Sequence, residues 1–140
     1  MEKVYSTPLI RKLGIKAGHR VAFPNAPADF AQTLGPLPLG CVAVRHDEGA
    51  NADLDVIVAF ADSRQAHGEL FAALKSRLTP AGGLWLCWPK KASKVHTDLS
   101  DSIVQQIGLD GGLVDNKICS IDATWSGMRF VFRLRDRAGQ

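Results

Sequence analysis

Apolar positions along the chain fall into short runs whose period switches between helical and extended, and that alternation predicts a layered α/β architecture. Thr7 followed by Pro8 opens a helix with a hydroxyl cap and proline at the first helical position, and LIRKLG closes it on Gly14. A Gly18 turn leads into RVAF, which Pro24 stops. Pro27 opens a second short helix carrying Phe30 and Leu34, ended by Gly35 with Pro36 and Pro38 behind it. CVAVR (41–45) is a β-branched run, and HDEGANADLD after it is a polar loop. DVIVAFA, from Asp55, is apolar at nearly every position, as in a central strand covered on both faces. Asp62 or Ser63 then caps a helix to about Leu78, with Phe71, Leu74 and Leu78 at helical spacing. TPAGG turns the chain into LWLCW, a second fully apolar strand.

Past the segment PKKASK, Ser100 caps a helix in which Leu99 can pack on Val104, with Ile103, Val104 and Ile107 facing the core and GLDGG ending it. LVDNKICSID and WSGMRFVFRL predict two strands joined around residues 123 to 127. In the second, Phe130, Phe132 and Leu134 alternate with Arg129, Val131, Arg133 and Arg135, the period of a half-exposed strand. The order helix, β, α, β, β, α, β, α, β, β contains no repeat and no low-complexity linker. It predicts a three-layer sandwich on a mostly parallel sheet with an antiparallel C-terminal strand pair, one domain over 1–140 with a short helical extension over about residues 1–18.

Composition changes this picture little. The 140 residues are 46% hydrophobic and 22% charged, enough for one core that buries roughly two thirds of the unfolded surface. No run has the ~20 apolar residues of a membrane span, and MEKVYSTPLI lacks the charged-then-apolar plan of a secretory signal, so the expected location is the cytoplasm. Cys41, Cys87 and Cys119 form no CxxC pair and read as buried reduced thiols. His19, His46, His67 and His96 have no partner at ligand spacing; they read as surface or half-buried residues, and no metal is expected.

Charge narrows the partners. A net +3, from 17 basic and 14 acidic residues, is too mild to make nucleic acid or an anionic membrane the default partner. Its distribution is uneven: Lys90, Lys91 and Lys94 cluster after LWLCW, and Arg129, Arg133, Arg135 and Arg137 cluster near the end. The arginines read as a solvated edge-strand face that discourages pairing.

Two resemblances follow from particular segments. DVIVAFA, a helix, LTPAGGLWLCW, another helix and a closing hairpin resemble the back half of the Rossmann-like methyltransferase fold, where Leu78, Pro80, Gly82 and Gly83 match its leucine, x, proline, glycine-glycine turn. YSTPLIRKLGIKAG, LWLCWPKKASKVHTDLS and GLVDNKICSIDATWSGMRFV resemble a family of small bacterial domains of unknown function. The first resemblance implies a Rossmann-like α/β fold of methyltransferase type with a degenerate cofactor loop. Where that family has a glycine-rich turn after the first strand, VAFPNAPADF carries Pro24, Asn25 and Pro27, whose prolines oppose an amide cradle. An acidic residue for ribose is missing where CVAVR ends in Arg45, although Asp47 and Glu48 follow. No cofactor is therefore expected, S-adenosylmethionine included.

In open α/β sheets, ligands settle outside the carboxyl ends of the strands. That rule gathers Asn25, Asp62, Ser63, Lys90, Lys91 and Ser93 on one rim. The lysines leave a rigid Trp-Pro base; they are either a solvated loop or an anion site with the Ser93 hydroxyl. Trp85 and Trp88 read as core residues, while Trp125 in DATWSG is either folded back or exposed for a partner. There is no GxSxG, P-loop or GxGxxG, and Asp53 and Asp55 read as loop and capping residues. The leading expectation is a non-catalytic domain that binds a small anionic ligand or an acidic protein surface at this rim. Its rival is a divergent S-adenosylmethionine-dependent transferase using Asn25 and Asp62, with the lysines clamping an acidic substrate. A third expectation is assembly as a homodimer through Trp125 and the strand of Arg129.

Overall fold

The computed structural model describes residues 7 to 138. Six strands, β1 (Arg20–Ala22), β2 (Val42–Ala43), β3 (Leu54–Phe60), β4 (Leu78–Pro89), β5 (Val114–Ser120) and β6 (Trp125–Val131), form one sheet in the order β2-β1-β3-β4-β6-β5. All pairs are parallel except those made by β6, which runs against β4 and β5. This is the mostly parallel Rossmann-like sandwich of methyltransferase type with an antiparallel C-terminal pair. Strand order reverses between β1 and β3, since the chain leaves β1 toward β2 on one side and returns to β3 on the other.

Each sheet face has its own core. Val56, Val58 and Phe60 of β3, with Trp85 of β4, pack on Leu13 and Ile15 and on Phe30 and Leu34. These come from α1 (Leu9–Leu13) with its exit, and from α2 (Phe30–Leu34). Ile57 and Ala59, the alternate positions, face Phe71, Leu74 and Val104 from α3 (Arg64–Arg77) and α4 (Asp101–Asp110). A period of two inside a wholly apolar strand thus serves two layers. The C-terminal carbonyls of α1 are satisfied from afar: Trp85 Nε1 donates to Leu13 O (3.1 Å) and Lys117 Nζ to Lys12 O (3.1 Å). Among the described residues no helix is long and apolar enough to cross a membrane.

Local details correct several expectations. Pro8, with ψ 145°, stands at the N-cap of α1, so the helical turn begins at Leu9 and Thr7 makes no side-chain cap. Asp29 rather than Pro27 precedes α2, because Pro27 O accepts from Phe30 N–H in a turn before it. TPAGG is part of β4: a step of five residues from Leu78 to Gly83 faces a step of two from Leu54 to Val56, a bulge that re-aims the strand. Residues 125 to 127 belong to β6, because Asp122 Oδ1 accepts from the N–H groups of Thr124 and Trp125 and closes the turn earlier. β6 is interior and β5 is the edge, so Arg129 is no edge residue; its guanidinium lies half-buried across Gly83, and burial, then Arg137, depresses its pKa. Arg135 and Arg137 belong to a terminal turn, α5 (Leu134–Ala138), instead of the last strand. Of the thiols only Cys87 is fully buried; Cys41 and Cys119 are half-buried.

His67 is the histidine that departs from its reading, with 1% of its surface exposed on the α3 face that carries Phe71 and Leu74. Its Nε2 lies 2.8 Å from Cys87 O, while Nδ1 is buried without a partner among the described residues. Burial pushes the imidazole below its ordinary pKa, and the bond to Cys87 opposes that more weakly. The unfolded chain therefore holds this proton more tightly. The contribution is whole above a pH of about 6.5 and is lost as pH falls toward the lower folded value. The urea midpoint should drop on going from pH about 7.5 to about 5, and His67→Leu should flatten that slope. A variant as steep as the parent would exclude His67 as the source.

Candidate functional site

The chain leaves the carboxyl ends of β1, β3 and β4 on one rim, and two cavities open there. At the first exit Pro24 O accepts from Phe60 N–H (3.0 Å) and Ala26 N–H donates to Phe23 O (3.2 Å). Between them Asn25 turns through φ 59°, a left-handed conformation that asparagine tolerates where most side chains do not. Phe23, Pro24 and Asn25 form one wall of a cavity of about 620 Å³, and residues 43–48 form the other.

Two carboxylates reach this cavity, and they differ. Asp47 accepts from Arg45 Nε (3.0 Å) and Nη2 (2.8 Å), which lowers its pKa to about 2. The Glu48 carboxylate has no hydrogen bond or ion pair among the described residues. The loop that carries both is clamped from behind by Arg77, the last residue of α3 and only 4% exposed. Its guanidinium donates to His46 O (2.6 Å), Glu48 O (2.6 Å) and Asn51 O (2.7 Å), and pairs with Asp53 Oδ1 (2.7 Å). That hydrogen bond is the main cause of the depressed pKa of Asp53.

The second cavity, about 660 Å³, opens where β4 ends, with Lys90, Lys91, Lys94 and His96 around Trp88 and Leu99. Its loop is tied at several points. Lys90 N–H donates to Thr124 O (2.7 Å) and Lys90 Nζ to Ser120 Oγ (2.6 Å), both in the turn region between β5 and β6. Ser93 Oγ donates to Lys90 O (2.6 Å) and accepts from Val95 N–H (3.2 Å). Farther along, Thr97 Oγ1 donates to Asp62 O (2.6 Å).

The rim therefore carries all six residues expected on it, but only some face a cavity. Asn25 lines the first cavity and Lys90 and Lys91 the second. Ser63 caps α3 by accepting from Ala66 N–H (3.1 Å), and the Ser93 hydroxyl serves its own loop. Asp62 is exposed after β3, the strand lying between the two exits, and its carboxylate has no partner among the described residues. Trp125 folds back onto Phe60, ring centroids 5.1 Å apart and nearly perpendicular. Glu48 and Lys94 were noted, the one after Arg45 and the other in the lysine cluster, but neither was counted among the rim residues; His96 and Arg77 were missed as site residues. Arg77 left a signal: it sits three residues after Leu74 and six after Phe71, on the apolar face of its helix.

Among the described residues no three His, Cys, Asp or Glu side chains gather as a metal site. No protein-family model and no curated protein sequence matches the chain. Solved structures do match. A SAM-dependent methyltransferase from Aquifex aeolicus aligns with a TM-score of 0.59 at 15% identity, covering 87% of this chain and 86% of that one. A TehB-like SAM-dependent methyltransferase from Corynebacterium glutamicum aligns at 0.55 and 13% identity, covering 89% and 85%. Aeropyrum pernix fibrillarin with bound S-adenosyl-L-methionine aligns at 0.54 and 12%, covering 91% and 70%. At these identities the likeness is one of fold.

Proposed function

We propose that the chain is a divergent S-adenosylmethionine-dependent transferase, with the cavity at the β1 and β2 exits taking the adenosyl half of the cofactor. The observation that carries this reading is the Glu48 carboxylate, without a hydrogen bond or ion pair among the described residues, lining the same cavity as the left-handed turn at Asn25. A ribose diol needs a carboxylate acceptor at such a switch point, and Glu48 supplies it where Asp47, held by Arg45, does not. The expectation that no cofactor binds rested on the proline-bearing turn and on Arg45 standing where an acidic residue would meet the ribose, without the loop that Arg77 brings across from the far side.

The residues fit the group unevenly. Phe23 and Val44 give the cavity apolar walls for the base, and Glu48 gives the ribose its acceptor. The turn is poorer: Pro24 has no N–H and that of Ala26 is taken by Phe23 O. From this turn only Asn25 is left to meet the amino-acid end of the cofactor, so binding should be weaker than a glycine-rich turn gives. When bound, S-adenosylmethionine supplies a methyl group to an acceptor lone pair, the C–S electron pair staying on sulfur as a thioether. Asp62, exposed after the strand that lies between the two exits, is the carboxylate we assign to take the proton the acceptor gives up.

Thermal unfolding tests the reading. At about 100 times its dissociation constant, S-adenosylmethionine or S-adenosylhomocysteine should stabilise by roughly 2.7 kcal/mol, a shift of several degrees. Glu48→Gln should lose most of that shift while its unliganded Tm moves little, since its exposed carboxylate makes no hydrogen bond or ion pair among the described residues and acts on the fold only through its charge beside Arg45. Absence of a shift with both compounds, beside a shift with other anions, would return the chain to the non-catalytic binding domain that its prolines suggest.

A further inference from the structure

The cavity at the β4 exit has a one-sided chemistry. Lys90, Lys91, Lys94 and His96 line it against one carboxylate, Asp101, whose Oδ1 already accepts from Ser102 N–H (2.8 Å). Lys90 Nζ is spent partly on Ser120 Oγ, whereas Lys91 Nζ, Lys94 Nζ and the His96 ring have no hydrogen bond or ion pair among the described residues. Like charges gathered in one concavity repel one another and attract an anion.

Two further features separate this cavity from a solvated lysine loop. Its carrier is fixed at Thr124, Ser120 and Asp62, and the Lys94 backbone is held left-handed at φ 61°. A loop so tied loses little freedom when a ligand arrives. The walls are apolar as well: Trp88 (6% exposed) and Leu99 (7%) belong to the buried core, while Val95 and Ile118 stand exposed beside the lysines. A bare inorganic anion would leave that apolar surface wet.

We infer that this cavity is the acceptor site of the proposed transfer and takes a small molecule with a flat apolar body and one anionic group, carboxylate or phosphate. The assignment rests on the transferase reading for the word acceptor, and on the cavity itself for the ligand class. β1 and β4 are separated by β3 alone, so the two strand exits lie about 10 Å apart on one rim, with Asp62 following the strand between them.

The test titrates the protein with 1-naphthoate and phenyl phosphate, using 1-naphthamide as the uncharged control, and follows the Trp88 indole N–H signal. Saturable shifts with one or both anions are expected, with the amide far weaker. Lys91→Ala/Lys94→Ala should weaken anion binding at least about tenfold, since two charge-assisted contacts are removed. Binding by the amide as tight as by the anions, no saturable binding, or indifference to the double substitution would each overturn the inference.

S-adenosylhomocysteine titrated into the same double variant keeps the two readings apart. Nucleoside binding by both proteins, beside no saturable anion binding by the wild type, leaves the cofactor proposal standing and removes this one. Lysine-dependent anion binding in a wild-type protein that ignores S-adenosylhomocysteine overturns the acceptor role.

Discussion

Arg77→Ala is expected to destabilise the protein by about 3 kcal/mol, and to weaken nucleoside binding further than the loss of stability explains. Four acceptors converge on this one guanidinium: three carbonyls of the 46–51 loop and the Asp53 carboxylate. Alanine leaves those groups to find water at the edge of a space the side chain used to fill. Asp53 is partly solvated and retains Arg20 at 3.4 Å, so the larger share of the loss comes from the carbonyls and the vacated volume. Arg77→Lys should recover less than half, because a single ammonium cannot reproduce a planar fork with several donors. Urea unfolding gives the stability, and titration with S-adenosylhomocysteine under conditions where both proteins are folded gives the binding. A loss below about 1 kcal/mol would mean that the loop is held by something else.

Gly108→Ala is expected to destabilise by about 3 kcal/mol, against the ordinary direction for a helix. In an open helical position alanine is better than glycine by about 1 kcal/mol, since glycine loses more backbone freedom on folding. Gly108 lies inside α4 with the Phe130 ring where its Cβ would point. Phe130 cannot retreat, being fully buried and set edge-on against Phe71 with centroids 6.5 Å apart. Alanine must therefore lift α4 from the sheet. Gly68, inside α3, supplies the contrast, with nothing within 4 Å of where its Cβ would stand. Gly68→Ala should stabilise by up to about 1 kcal/mol. The pair should separate by roughly ten degrees or more in Tm, in opposite directions from the parent. Equal responses would mean that α4 does not pack as described.

The fold was legible where periodicity and local rules act alone. The wholly apolar run after Asp55 announced a central strand, and Ser100 and the pair Asp62 or Ser63 announced their helices, where Ser63 and Ser100 are the caps. What could not be read was set by partners remote in sequence. TPAGG resembles a turn and becomes a bulge because β3 continues past it on one side. The alternation after Phe130 resembles a longer strand, yet β6 stops at Val131 and a helical turn follows.

The site divides in the same way. The rim rule gathered Asn25, Asp62, Lys90 and Lys91 at the carboxyl ends of the strands, and there they lie. It could not say that the hydroxyls of Ser63 and Ser93 are consumed locally, nor that Glu48 swings into the cavity of Asn25. Glu48 sits in a polar loop with no periodicity, and its position depends on an arginine 29 residues away.

The two long reaches that close α1 bear on how the chain is made. Helix α1 has five residues, too few to persist alone in water, and the groups that hold its last carbonyls lie 72 and 105 residues downstream. While a ribosome is still working through the middle of the chain, neither the Trp85 indole nor the Lys117 ammonium exists. Helix α1 thus emerges well before the groups that secure it, and until then Leu13 and Ile15 stay available to whatever escorts a nascent chain.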